Sequence, residues 1–399
     1  MRKKLSLLIA LAICLSSATT TFAASGSANV STTTSSSSVQ ANAGTLNLTM
    51  DEAVSNIEKS NTEIKLMKDK IDTLNKQYYL DHSVAMQTET DGAGVDKLQA
   101  RKLQLITPLT DEQNIKNQQY SIDVRLNNIK FDMERQYLNI LTCSDQIDNI
   151  NKTLTNIDEQ INKLQQQINL GLATSDSLNP LNVQKSQLMA QIDSINAEMD
   201  NSDLIIKQYL NLDLNTKLML ADAKKDMVKF DDTNIADTIK KALDKDYGIS
   251  EAQNSIYIAE KERDICKQVD NDSSGNLSTA ESNLLSVQGQ LVTTRNAAEA
   301  NLWNKYYTLK SDENALETQI LSKKAAQDDY DKAKSNYDNG MIDKLALDTA
   351  ALALDKQKNL YQRAANEYMI IQEEFKYMLD GHASAQPSTK SIGISGIDY

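Results

Sequence analysis

The sequence predicts an all-α fold made of long antiparallel coiled-coil hairpins in two tandem repeats, with little or no β-structure. Three observations lead to this prediction. Only 3 prolines and 12 glycines interrupt 399 residues. Apolar residues recur at alternating spacings of three and four, and the second half of the chain repeats the pattern of the first. Few helix breakers favour long helices, and a heptad pattern favours their packing as coiled coils.

The N-terminus has the three parts of a secretory signal peptide, predicted to span residues 1–23. Three basic residues follow Met1, an apolar run covers residues 5–15, and Ala23 ends a small-residue cleavage site. The apolar run is too short to span a membrane. We therefore expect an exported protein of the cell envelope or the extracellular space. Residues 24–47 are rich in Ser and Thr and are predicted to form a flexible linker.

The first predicted repeat covers residues 48–212. Thr49 with Glu52 forms a capping box before the first helix, and Thr110 with Gln113 is interpreted as a second one. The following helix carries a strict heptad seam, which predicts packing against a partner helix. The seam consists of Ile147, Ile150, Leu154, Ile157, Ile161, Leu164 and Ile168. A short loop then leads to Pro180 at the start of a return helix, and this indicates an antiparallel hairpin.

The pattern recurs in a second predicted repeat, residues 233–380, after a connector at 213–232. Residues 122–211 align without gaps to 291–380 at an offset of 169, which places Gly171 on Gly340. The preceding helices align at an offset of 185. Residues 381–399 are predicted to be a disordered tail.

The opening motif at residues 48–54, the tandem repeats and the two glycine-containing hairpin tips resemble the TolC-like outer-membrane efflux proteins. The resemblance covers residues 48–380. It implies a homotrimeric tunnel of long helices whose tips dock on the adaptor of an efflux or type I secretion system. By that resemblance the partner-binding tip residues are Gly171, Leu172, Ala173, Gly340, Met341 and Ile342. The glycines are also explained by C-capping of helices alone.

One segment departs from that family. Family members carry transmembrane strands between the first helix and the long helix of each repeat, and a spanning strand needs about 9–11 alternating residues. The corresponding segment of the second repeat includes the polar run at 270–275 and leaves no room for such strands. We therefore expect the transmembrane β-barrel strands to be missing, with an outer-membrane location only if a barrel is present. This argues against membrane insertion by the chain alone.

Residues 270–281 match the twelve-residue calcium loop of an EF-hand. The candidate ligands are Asp270, Asp272, Ser274, Asn276, Ser278 and Glu281. Gly275 stands at the sixth position, where the loop turns sharply, and oxygen ligands at this spacing suit Ca²⁺. The alternative interpretation is a solvated polar turn. A single loop with three carboxylates predicts weak binding, in the range of about 0.1–1 mM.

Other chemistry is not indicated by the sequence. The formal charge of −13 becomes about −16 once the three basic residues of the signal peptide are removed, which argues against nucleic acid as a partner. The two histidines, His82 and His382, have no nucleophile or ligand cluster at a meaningful spacing. We therefore expect a protein that is not an enzyme.

Two functions fit these observations. The first is a TolC-like efflux or secretion component that forms an extracytoplasmic helical conduit and docks an adaptor through its hairpin tips. The alternative is a barrel-less secreted coiled-coil scaffold or binding module at the cell envelope. The whole-chain resemblance favours the first function, and the Ser/Thr-rich linker and the calcium loop suit the second.

Overall fold

The computed structural model describes residues 44–269 and 275–385. Long helices dominate this part of the chain, and the predicted all-α hairpin architecture is confirmed. The helices are α1 (Met50–Ser60), α2 (Thr62–Gln87), α3 (Gly94–Leu105), α4 (Thr107–Asn169), α5 (Asn179–Leu210), α6 (Ile235–Lys245), α7 (Tyr247–Val269), α8 (Asn276–Asp338) and α9 (Lys344–Tyr377). A 3₁₀ turn (Ser175–Leu178) precedes α5, and a π turn (Met378–His382) follows α9. Strands β1 (Thr45–Leu48) and β2 (Lys217–Leu220) pair in parallel.

The two repeats have matching elements. Helices α4 and α8 each contain 63 residues, which corresponds to a length of about 95 Å at 1.5 Å per residue. Asn61 separates α1 from α2, and Asp246 separates α6 from α7, at the same 185-residue offset. The side chain of each caps the next helix, accepting from the backbone N–H of Ile64 or Ile249 at 3.1 Å. The repeat inferred from the sequence is therefore also a repeat of local geometry.

Helix α3 has no counterpart among the described residues of the second repeat. It lies in the connector between α2 and α4, where Leu98 is fully buried. Leu98 packs with Ile265 and Cys266 of α7 and with Ala280 of α8. The extra helix of the first repeat therefore joins the two repeats at the end where α7 leads into α8.

The four long helices form a row in the order α5, α4, α9 and α8. Helix α4 packs against α5 and α9, and α8 packs against α9, so that α5 and α8 lie at the two edges. The predicted seam of α4 contributes to the contact with α5, where Ile147, Ile150 and Leu154 face Leu188 and Ile192. Beyond the hairpins, α2 packs against α4 and α7 against α8.

The short sheet closes the first repeat. The Tyr137 hydroxyl is buried 2.8 Å from the carbonyl oxygens of both Leu48 and Ala221. It can donate its proton to either, which holds the end of β1 and the residue after β2 against α4. A buried tyrosine needs such an acceptor, because an unsatisfied hydroxyl in a core is destabilising.

The observed boundaries differ from the predicted ones at three places. Helix α4 begins at Thr107 with Pro108 in its first turn, and the Thr110 hydroxyl donates to the Ile106 carbonyl instead of capping a helix. The interpretation of Thr110 as a cap was therefore wrong. Order also continues past residue 380, because Ala383 is fully buried. At the other end, β1 takes up three residues assigned to the flexible linker.

Within residues 44–269 and 275–385, every helix is too short or too polar to cross a lipid bilayer.

Candidate functional site: the hairpin tips and the two edges

The two hairpin tips have the same backbone geometry. Gly171 and Gly340 adopt positive φ angles of 74° and 69°. The N–H of Leu172 donates to the Gln167 carbonyl, and that of Met341 to the Asn336 carbonyl, each at 2.8 Å. This is the glycine-ended motif that satisfies the last carbonyl groups of a helix. C-capping by the two glycines is therefore confirmed.

The tips also expose large apolar side chains. Leu172 is 75% exposed and Met341 is 65% exposed, and they occupy equivalent positions after the two glycines. Ala173 and Ile342 are half-buried. Exposed apolar side chains at a conformationally defined turn suit contact with another protein.

Polar contacts hold the two tips next to each other. Lys163 of α4 forms an ion pair with Asp343, the N-cap of α9, at 2.8 Å. Asparagine side chains then bind carbonyl oxygens across the α4–α9 seam at intervals of one heptad. The bonds run from Asn156 to Leu345 (3.4 Å), from Asn149 to Leu352 (3.1 Å) and from Asn359 to Thr142 (2.9 Å). The two hairpins are therefore in a fixed register, with both tips at one end.

The two edges of the helix row carry most of the exposed large apolar residues of the long helices. On one edge they are Val183, Met189 and Leu204 of α5, continued by Leu66, Tyr79, Leu80, Val84 and Met86 of α2. On the other edge they are Leu285, Val292, Tyr307, Ile320, Leu321 and Tyr337 of α8. Within the fully described helix α4, at the centre of the row, no large apolar side chain is exposed.

Several of the edge residues recur at heptad intervals. Val183, Ala190, Ala197 and Leu204 of α5 follow one another at intervals of seven and are all exposed. On α8, Leu285 and Val292 are one heptad apart, and Tyr307 and Leu321 are two. A heptad stripe facing solvent indicates a surface shaped for another helix. These stripes were not predicted from the sequence, although their spacing could have revealed them.

A half-buried ionic cluster joins the hairpins near the middle of the row. Arg135 of α4 binds Glu367 and Glu374 of α9 at 3.1 Å, and Lys305 of α8 also pairs with Glu374. Burial and the neighbouring Glu367 raise the pKa of Asp312 to about 6. One oxygen of this carboxyl is buried without a hydrogen-bond partner. The cluster links α4, α8 and α9 in a way that fits a structural role.

The two histidines are placed apart from each other. His82 stacks on Tyr78 at the far end of α2. The imidazole Nε2 of His382 lies 3.1 Å from the Asp123 carboxylate, and its ring stacks on Tyr377 at 3.9 Å. His382 thereby holds the segment after α9 against α4, a contact that the sequence did not reveal.

Only part of the predicted calcium loop is described. Asp270, Asp272 and Ser274 lie outside the described residues. Gly275 has a positive φ of 72°, as the sharp turn of such a loop requires, while Asn276, Ser278 and Glu281 lie in the first turns of α8. Among residues 44–269 and 275–385, no group of three His, Cys, Asp or Glu side chains could hold a metal ion.

Comparison with known proteins places the fold among outer membrane channels. No protein-family model and no curated protein matches the sequence. A membrane protein from Pseudomonas aeruginosa is similar at a TM-score of 0.63 and 10% identity, over 83% of this chain and 90% of that one. The Campylobacter jejuni CmeC outer membrane channel gives a TM-score of 0.60 at 10% identity, over 85% and 86%. The outer membrane protein VceC from Vibrio cholerae gives 0.57 at 10% identity, over 83% and 96%.

These similarities define the fold class. The chain has the TolC-like helical fold of outer membrane efflux channels, with two long hairpins in tandem.

Proposed function

We propose that this protein is a TolC-like efflux or secretion component whose copies assemble side by side into an extracytoplasmic helical conduit. The observation that carries the proposal is the distribution of exposed apolar residues. They lie on the edge helices α5, α2 and α8, whereas the central helix α4 exposes none of its large apolar side chains. In a closed ring, α8 of one copy packs against α5 and α2 of the next, and both stripes become buried.

The proposed ring is a homotrimer, as the family resemblance implies. Apolar surface drives such association, because each large side chain contributes about 1.5–3 kcal/mol when it is fully buried. A cyclic assembly also leaves no edge uncovered, whereas a dimer would leave one α5 edge and one α8 edge in solvent.

The hairpin tips are the proposed docking site for an adaptor protein. All four long helices end or begin at the tips, so in a ring every tip lies at the same end of the conduit. Leu172 and Met341 would then form a circle of exposed apolar side chains on backbone turns of one geometry. The predicted signal peptide supports a location of this assembly outside the cytoplasmic membrane, and the absence of membrane-spanning strands is part of the proposal.

Calcium binding at residues 270–281 is a further proposal. The positive φ of Gly275 supports it. Asn276 is the first residue of α8, so that its carbonyl group faces the helical hydrogen-bond ladder. Calcium would therefore have to unwind the first turn of α8. Isothermal titration calorimetry with millimolar Ca²⁺ tests calcium binding, with Asp270→Asn as the matched variant. A binding heat in the parent chain alone supports calcium binding, and no binding heat in either protein excludes it.

Sedimentation velocity of residues 24–399 in detergent-free buffer, with and without Ca²⁺, tests the proposed assembly. A trimer is the expected result. A monomer at all concentrations would contradict the conduit and would favour the secreted coiled-coil scaffold. A binding assay with a candidate adaptor then compares the parent chain with Leu172→Asp/Met341→Asp, which should lose binding while it keeps the same sedimentation coefficient.

A further inference from the structure

The exposed edges of the helix row carry stripes of uncharged residues. On α8, the exposed positions that recur at spacings of three and four between residues 304 and 325 are Asn304, Tyr307, Ser311, Asn314, Thr318, Leu321 and Ala325. On α5, the exposed positions at the same spacings are Val183, Ser186, Ala190, Ser194, Ala197, Asn201, Leu204 and Gln208. We call these sets the α8 stripe and the α5 stripe. Neither contains a charged residue, although 24% of the residues in the chain are charged.

The exposed face of α4, at the centre of the row, has the opposite composition. It includes Asp145, Asp148, Lys152, Glu159 and Lys163. A helix face that remains in water usually carries charges, whereas the core of a protein interface is depleted of them. The α8 stripe and the α5 stripe therefore have the composition of surfaces that become buried. A charged partner does not suit them, because its charge would lose hydration without gaining a counter-charge.

Contacts inside one chain define the relative heights of α5 and α8 along the row. Three contacts connect the four antiparallel helices in turn: Ser202 to Asn139 (3.0 Å), Asn359 to the Thr142 carbonyl (2.9 Å), and Lys323 to the centre of the Tyr361 ring (3.4 Å). Followed across the row, they place Leu204 of α5 within one helical turn of the height of Leu321 of α8. A closed ring is generated by rotation alone, so this height is kept between copies. In the proposed ring, Leu321 of one copy therefore faces Leu204 of the next.

Each of these two leucines meets smaller or polar uncharged side chains on the facing helix. Leu321 lies at the height of Ala197 and Asn201 of the α5 stripe, and Leu204 lies at the height of Thr318 of the α8 stripe. In a coiled coil, a large side chain inserts into a hole between residues of the facing helix. We propose that Leu321 and Leu204 of neighbouring copies interlock in this way within an uncharged seam, an inference that rests on the proposed assembly. The seam holds the copies at one height and selects a second copy of this chain over a charged partner.

A charge exchange between the two edges tests this contact by sedimentation velocity. Leu321→Asp alone and Leu204→Arg alone should each weaken association at least about tenfold, because each places an unpaired charge in the seam. Leu321→Asp/Leu204→Arg in one chain should recover at least about tenfold, because the two new charges lie on opposite edges of a copy and can meet only between copies. The control Leu321→Asp/Val183→Arg places the arginine about 30 Å further along the α5 stripe and should stay weak. Circular dichroism checks that every variant keeps its helices.

The salt dependence of the same samples gives a second readout. The parent oligomer should persist between about 0.05 and about 0.5 M NaCl, because its seam contains no charge to be screened. The oligomer of the exchange variant should dissociate over the same range, because salt screens its new ion pair.

Three results would overturn the inference while the parent oligomer leaves the proposed assembly standing. They are no recovery in the exchange variant, equal recovery in the control, and dissociation of the parent oligomer at high salt. A parent chain that is monomeric at every salt concentration refutes the proposed assembly itself, and the interlocked seam with it.

Discussion

Two charges placed on the α8 edge should weaken assembly of the protein without unfolding it. Val292 and Leu321 are 60% and 68% exposed, so about two thirds of each side chain remains to be buried by a neighbouring copy. Full burial of such a side chain contributes about 1.5–3 kcal/mol, which leaves about 1–2 kcal/mol for each at the interface. Val292→Asp/Leu321→Asp removes this contribution and adds the cost of desolvating two carboxylates. We expect a loss of at least about 3 kcal/mol per interface, or about a hundredfold in the association constant.

The assay is sedimentation velocity over a concentration series, with circular dichroism to confirm that the variant keeps its helices. The matched control is Met219→Asp/Val228→Asp, because these side chains are 53% and 61% exposed and lie on β2 and on the segment that contacts Met369 of α9, outside the edge helices. The control should assemble like the parent chain. If the edge variant also assembles like the parent, or if the control is weakened equally, the assignment of α8 as an interface is refuted.

Three further substitutions test the account of the single chain by urea or thermal unfolding. Asp312→Asn should stabilise the protein by about 1–2 kcal/mol above pH 6, after discounting for partial exposure, because the folded carboxyl has a pKa of about 6 against an ordinary value of 3.8. The gain should vanish below pH 4, and a gain that does not depend on pH would contradict the raised pKa as its cause. Gly340→Ala should cost about 1–2 kcal/mol of stability, because Gly340 has a φ of 69° that strains any residue with a Cβ. The control Gly289→Ala lies inside α8 in open space and should stabilise the protein. Equal effects of the two substitutions on the free energy of unfolding would refute the strain argument. Arg135→Met leaves Glu367 without a cation, while Glu374 keeps Lys305, and it should destabilise the protein by about 1–3 kcal/mol because the cluster is half-buried. Lys332→Met at an exposed ion pair should change the stability little. Similar losses in both variants would refute a special role for the half-buried cluster.

The elements governed by local sequence were predictable. Thr49 and Glu52 form the capping box that their spacing predicts, because both hydrogen bonds lie within one turn. The heptad seam of α4 packs on α5 as its period requires. Gly171 and Gly340 end their helices as expected. Thr110 shows the limit of such reasoning, since the nearby Pro108 already provides a first turn and the threonine falls inside the helix.

Contacts between distant parts of the chain were not predictable from local patterns. Arg135 and Glu367 are separated by 232 residues, and nothing near either one indicates the other. The asparagine bonds across the α4–α9 seam depend on the register between two hairpins, which only the folded structure defines. His382 was assigned to a disordered tail because its neighbours are small and polar, yet its stacking on Tyr377 and its contact with Asp123 hold it in place.

Single-particle electron microscopy of the mature protein tests the central claim most directly, because it images the packing of the two edges. The account predicts a closed ring in which α8 of each copy lies against α5 and α2 of the next, with all hairpin tips at one end. Particles of one copy, or an assembly in which Val292 and Leu321 of α8 and Val183 and Leu204 of α5 stay exposed to solvent, would contradict it.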